Sequence, residues 1–136
     1  MEDARVVRLE IPSAPQFVSV ARKTLEAIAS VVGLEKQEIQ DLELAVGEAC
    51  TNAVKYGDPG DQAIQIIYRI ERSSVEIEVR NKGKAFTPPT SPKPVEQLQI
   101  GGLGLFLIDQ VMDRLSIDCQ AGETTLKMVK QIAKAK

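Results

Sequence analysis

The chain contains no histidine. That absence removes histidine-assisted acid–base chemistry, argues against a zinc centre and rules out a phosphohistidine intermediate on this polypeptide. Cysteine is scarce too, since Cys50 and Cys119 are too few for a disulfide scaffold. Cys50 falls inside a helical pattern, where a free thiol behaves as a small buried hydrophobe, and the expectation is a protein of the reduced cytoplasm. No apolar run approaches the roughly 20 residues that span a bilayer, so no membrane contact is expected. The N-terminal MEDARVVRLE is charged and lacks the apolar core of a signal peptide. A net charge of −2 argues against a nucleic-acid binder, whose phosphate contacts need a basic surface. Neither a P-loop (GxxxxGKS/T) nor a dinucleotide fingerprint (GxGxxG) occurs, so any nucleotide must be held by another arrangement.

What is present fits one globular domain spanning residues 1–136: 43 % of residues are apolar and 26 % charged. Residues 5–11 alternate Val7, Leu9 and Ile11 and read as a strand. Ser13, Pro15 and Gln16 give a helix start, with Ser13 as the cap, and the helix runs to about Val32. Its predicted buried stripe is Phe17, Val20, Leu25, Ile28 and Val31 or Val32, with Arg22 and Lys23 off the stripe; Gly33 ends it. A central helix follows from about Glu35 to Tyr56, ended by Gly57. Two strands then alternate, Ile64 to Ile70 and Val75 to Arg80, around the hairpin-length loop Glu71–Ser74. Between residues 82 and 101 regularity stops, and positions 88, 89, 92 and 94 hold four of the chain's seven prolines. A long irregular segment with glycines at both ends reads as a lid. A third helix carries Leu105, Ile108, Val111 and Met112, and Leu115–Cys119 and Thr124–Val129 make the last two strands. This order predicts an α+β two-layer sandwich, a mostly antiparallel mixed sheet with helices on one face.

Three clusters in this framework could carry chemistry. Glu48, Asn52 and Lys55 lie at i, i+4 and i+7, along one ridge of the central helix. Taken alone, that spacing also fits a solvated polar face. An amide oxygen suits magnesium, and a carboxylate one turn away could deprotonate a hydroxyl. Asn81-Lys82-Gly83-Lys84-Ala85 follows a strand, where a glycine lets the backbone approach a flat ligand or merely makes a turn. Gly101-Gly102-Leu103-Gly104 opens a helix, where free backbone N–H groups and the helix dipole favour phosphate, or simply provide a flexible entry.

In this order and spacing the clusters resemble the GHKL (Bergerat-fold, histidine-kinase-like) ATPase superfamily. The nearer resemblance is to its anti-sigma factor serine-protein kinases of the RsbW and SpoIIAB type. The phrases EACTNAVKYG and GGLGLFLIDQVMDRL, and the PxxPxFVxxAR pattern from Pro12 to Arg22, carry it. The resemblance implies ATP and Mg2+ between the central helix and the lid, with Asn52 on the metal and Glu48 as base toward a partner's serine hydroxyl. It places Asn81, Gly83 and Ala85 around the adenine, and Lys55, Gly102, Leu103 and Gly104 on the nucleotide. Arg22 matches a basic residue that contacts a sigma factor and a competing anti-anti-sigma (STAS) protein, and the family commonly forms homodimers. The implied function is an ATP-dependent serine kinase that also sequesters a sigma factor. The alternative is a nucleotide-binding partner-switching module without catalysis. A detached sensor-kinase ATPase domain fits less well, since no phosphoacceptor histidine is present. Asn81 stands where the family carries aspartate; its oxygen can still accept from an adenine amino group, while its NH2 needs another partner. Where some relatives carry a lid arginine, Gln99 and Ile100 stand here, leaving Lys93 or Lys84 as possible substitutes.

Overall fold

The computed structural model describes residues 5–57, 63–82 and 102–133, residues 102 and 103 as backbone only. Strand β1 (Arg5–Pro12) leads through a 3-10 turn (Pro15–Phe17) into α1 (Val18–Val32) and α2 (Lys36–Tyr56). Then come β2 (Ala63–Ile70), β3 (Ser74–Lys82), α3 (Gly102–Val111), β4 (Arg114–Gln120) and β5 (Glu123–Gln131). The strands form one sheet in the order β1-β2-β3-β5-β4, with all four pairings antiparallel. The α+β sandwich expected from the element order is therefore observed. Most of the candidate lid, and with it Gly83 and Ala85, lies outside the described residues.

The layers follow from strand alternation. Ile64, Ile66, Tyr68 and Ile70 of β2 and Val75, Ile77 and Val79 of β3 are at most 2 % exposed. The register sets Ile66 beside Val79, Tyr68 beside Ile77, and Ile77 beside Met128 of β5, so these side chains form rows on one face. Against that face lies α2, which touches both flanking helices and strands β2, β3 and β5. Each fully buried Leu or Ile in such a core contributes about 1.5–3 kcal/mol.

Helix α1 departs from expectation at its start. Pro15 does sit in the first turn, but Ser13 caps nothing; the residue before the 3-10 turn is Ala14 and no side chain caps it. The α-helix begins only at Val18, and its buried stripe is Val18, Ala21, Leu25, Ile28 and Val32. Phe17 and Val20 remain more than a third exposed, as does Val31. Ala21 occupies the inner position, fully buried, and its carbonyl accepts from the Tyr68 hydroxyl at 2.8 Å. Gly33 ends the helix with φ 74°, the left-handed conformation that glycine adopts without steric cost.

Helix α2 starts with a reciprocal box in which Glu38 Oε1 accepts from the Glu35 N–H at 2.8 Å. The second Glu38 oxygen accepts from the Ala133 N–H at 2.6 Å, so this buried carboxylate ties the far end of the chain to the helix start. Among the described residues no helix is long and apolar enough to cross a membrane.

On the opposite face of the sheet, Glu78 is 2 % exposed between Arg69, at 2.8 Å, and Arg80, which also binds it; Arg69 reaches Glu76 at 2.7 Å. Burial pushes the Glu78 carboxyl up, yet hydrogen bonds and charge from the two arginines outweigh that and hold it below the usual carboxylate range. A carboxyl lowered in the folded state stabilises the fold above its unfolded pKa of about 4.3, and that stability is lost as pH falls further. Replacing Glu78→Gln should therefore cost about 1.5–3 kcal/mol at pH 7 and much less at pH 3. Urea midpoints of both proteins at the two pH values measure the difference; an equal cost at both would contradict it.

Candidate functional site

The residues 49, 52, 53 and 56 of α2 lie at i, i+3, i+4 and i+7, and so share one edge of the helix. That edge presents Ala49, Asn52, Ala53 and Tyr56 toward Val79 and Asn81 of β3 and Thr124 and Leu126 of β5. Between them opens a cleft of about 360 Å³ of empty space that reaches solvent. The cleft exists because two alanines stand where larger side chains would close the gap onto Val79 and Leu126. The wall of the cleft is apolar, and Asn52, Asn81 and Thr124 supply polar groups.

Gly104, in the first turn of α3, lies directly against the Glu48–Asn52 ridge. A Cβ at Gly104 would stand 3.0 Å from Glu48 Oε1 and 3.4 Å from Asn52 Oδ1. Two of the three sequence clusters therefore meet: the helix ridge and the glycines that open α3, whose first-turn N–H groups have no partners within the helix. The Asn52 Nδ2 atom is buried and has no hydrogen-bond partner among the described residues. Buried polar groups are seldom left unpaired, so this one invites a ligand. The donor set fits magnesium, which takes hard oxygens and keeps water and phosphate for its other positions. Among the described residues no cluster of three or more His, Cys, Asp or Glu could hold an ion, and at this ridge they offer Asn52 Oδ1 beside Glu48.

Asn81 also lines the cleft, although β3 runs on to Lys82, two residues further than its alternation suggested. Its Nδ2 donates to the Lys82 carbonyl at 3.3 Å, which supplies the partner its NH2 requires. Gly57 sits against it: a Cβ there would be 2.9 Å from Asn81 Nδ2 and 2.7 Å from the Ala53 carbonyl. With φ −75°, Gly57 is glycine for that close approach and not for its backbone angles.

Other candidates fall elsewhere. Lys55 is exposed, its Nζ over the Tyr56 ring at 5.3 Å, and it does not line the cleft. Arg22 lies across α2, where a Cβ at Gly47 would stand 2.6 Å from its Nε and 2.8 Å from its Nη2. Arg22 thus lies on the side of α2 that faces α1, whereas Glu48 and Asn52 face Gly104 of α3, so the structure does not bring Arg22 to that ridge. Gly102 and Leu103 open α3. Cys50 is buried beneath Arg22's side, and burial pushes its thiol up to about 12, an inert group. Thr124, 9 % exposed and the cross-strand partner of Asn81, is a polar cleft residue that sequence reasoning missed. A threonine in a strand carries no mark that separates it from an ordinary strand former.

Residues 11–130 match the histidine kinase-like ATPase domain family. The serine-protein kinase RsbW of Oceanobacillus iheyensis is 38 % identical, over 98 % of this chain and 90 % of its own. Its counterpart in Bacillus pumilus is 36 % identical over 90 % of this chain and 84 % of its own. That of Bacillus subtilis is 33 % identical over 90 % and 83 %. Among solved structures, the RsbU and RsbW domains of a Mycobacterium tuberculosis protein superpose with a TM-score of 0.72 at 17 % identity, covering 97 % of this chain and 33 % of that one. The catalytic domain of the histidine kinase ThkA superposes with a TM-score of 0.54 at 12 % identity, covering 93 % and 97 %. These two likenesses speak to the fold.

The orphaned amide gives a stability test. Asn52→Leu removes an unsatisfied buried donor and improves helix propensity, so the variant should be as stable as the parent or up to about 1 kcal/mol more stable. Urea denaturation checks this; a loss exceeding about 1 kcal/mol would mark Asn52 as structural.

Proposed function

The chain belongs to the histidine kinase-like ATPase domain family, with the RsbW serine-protein kinases among its near relatives, and from that premise we propose an ATP-dependent protein serine kinase that is also an anti-sigma factor. The substrate is a serine of an anti-anti-sigma (STAS) protein, and a sigma factor is the sequestered partner. The observation that carries the reading is the closure of Gly104 onto Glu48 and Asn52 beside the cleft.

In this proposal the adenine enters the cleft between α2 and the sheet, with the Asn81 oxygen accepting from its amino group and Gly83 and Ala85 beside it. The first-turn N–H groups of α3, at Gly102, Leu103 and Gly104, bind phosphate oxygens. Asn52 Oδ1 holds Mg2+, and the ion supplies charge neutralisation at the phosphates. Glu48 orients the serine hydroxyl and accepts its proton as the Oγ–phosphorus bond forms and the bond to the ADP oxygen breaks. Positioning and charge stabilisation account for most of such a reaction, which suits a site without histidine. Lys55, at the edge of the ridge, adds positive charge near the nucleotide. Arg22 faces the protein partners from the α1 side of α2, where it lies against Gly47. A second copy of the chain completes the assembly as a homodimer.

The test is incubation with radiolabelled ATP, magnesium and a STAS-domain partner. Label on the partner's serine is expected, and an unlabelled partner would reject the kinase reading. Glu48→Gln should lower transfer about 10²–10⁴-fold while changing ATP affinity less than about threefold. Full transfer by that variant would exclude Glu48 as the base.

A further inference from the structure

The alternation of β5 puts Leu126, Met128 and residue 130 on the helix-facing side of the sheet, and residue 130 is a lysine. Its cross-strand partner, Val75, is fully buried. A cation at a core-facing position breaks the alternation that the rest of the strand keeps. Lys130 Nζ donates to the Val111 carbonyl at the C-terminal end of α3, at 2.8 Å, and pairs with Asp41 Oδ2 of α2 at 3.0 Å. Both side chains are largely buried, 15 % and 18 % exposed. The other Asp41 oxygen accepts from Gln37 Nε2 at 2.9 Å, so the carboxylate is itself fixed. One ammonium thus joins β5, α2 and the last turn of α3, where the helix dipole favours a cation.

We propose that Lys130 is a positioning residue, which sets the seat of α3 and thereby the approach of Gly104 to Glu48 and Asn52. The helix has ten residues, about 15 Å of rise, so its first turn and its clip stand at opposite ends of one short rigid rod. Leu105, Ile108 and Met112 bury its side, and apolar contacts of that kind tolerate sliding and rotation more readily than a hydrogen bond to a single carbonyl. Nearby, the Asp113 N–H donates to the Val129 carbonyl and Asp113 Oδ2 accepts from the Gln131 N–H at 2.6 Å, fixing the chain just past the helix. Among the described hydrogen bonds and ion pairs, those of Lys130 couple this end to α2, the helix carrying Glu48 and Asn52. The consequence for phosphoryl transfer rests on the function proposed above; the seating of α3 does not.

Lys130→Met keeps length and suits a core-facing site. In that variant the melting temperature should stay within a few degrees of the parent, amide exchange across residues 104–111 should accelerate at least tenfold, and kcat should fall about ten- to hundredfold. Lys130→Arg, which can reach both acceptors, should restore kcat to within threefold. Asp41→Asn should reproduce part of the defect, and combining it with Lys130→Met should add nothing further. Parental exchange rates and kcat in Lys130→Met would overturn the proposal, as would a lowered melting temperature with neither altered. If Lys130→Met does not fold, Asp41→Asn decides the matter by the same two readouts. Accelerated exchange in a protein whose parent transfers no phosphate would sustain the seating of α3 and reject the kinase reading alone.

Discussion

Helix α2 crosses the sheet on side chains that shrink along its length. Leu42, Val46 and Cys50 are fully buried and close the core, whereas Ala49 and Ala53 hold the helix beside Val79 and Leu126 without filling the space between. Protein interiors are packed to the density of organic crystals, so an open gap beside a well-filled core reflects a choice of side chains. A leucine at either alanine would gain contacts and lose the cleft. The remaining features of the site depend on that gap: Asn81 and Thr124 have somewhere to face, and Asn52 stands at the boundary between the filled and open halves of the helix.

Glycines then set how closely the neighbouring elements approach. At Gly104 a methyl group would press on Glu48 and Asn52, and at Gly57 it would press on Asn81. At Gly47 it would meet the guanidinium of Arg22, the far end of a flexible side chain that can swing aside. The three close approaches therefore differ in what they protect. Two keep room around polar groups of the site, and one lets a basic side chain lie flat on α2. Alanine would suit the helix better at 47 and 104 by about 1 kcal/mol, and its absence sets site geometry above local stability.

Much of this was legible in the sequence because long periodic segments leave few alternatives. The 21-residue α2, the alternating β2 and β3, and the order of elements were all readable; Glu48 and Asn52 were named from helical spacing and Gly104 from the glycine run that opens α3. The start of α1 was not. Phe17 and Val20 make the more apolar stripe, yet Val18 and Ala21 are the ones buried, and the Ala21 carbonyl accepts from Tyr68, 47 residues away in the chain. Lys130 escaped notice for a related reason. The alternation fades after Val129, and only the ladder with β3, which pairs Lys130 with Val75, shows the lysine turned inward. Contacts decided by partners distant in sequence leave little local trace.

The lack of histidine constrains the chemistry as strongly as the clefts do. A carboxylate and an amide are mild groups. In the proposed kinase, whatever rate such a site achieves must come from placement: an oxygen that would hold the metal, a base within reach of a hydroxyl, and N–H groups that would meet phosphate. Placement to within a fraction of an ångström needs support from residues that never touch the ligand. In this fold that support comes from charged groups set into otherwise apolar layers. Glu38 binds the Ala133 N–H to the start of α2, and the Asp41–Lys130 pair binds the end of α3 to the same helix. Burying those charges is costly unless they are fully hydrogen-bonded, and apolar replacements could often match their stability. A hydrogen bond to one named carbonyl does what an apolar contact cannot, which is to fix register. On that reasoning the buried charges around α2 belong to the site as much as Glu48 does, since they keep two helices in a fixed relation while the cleft between α2 and the sheet stays open.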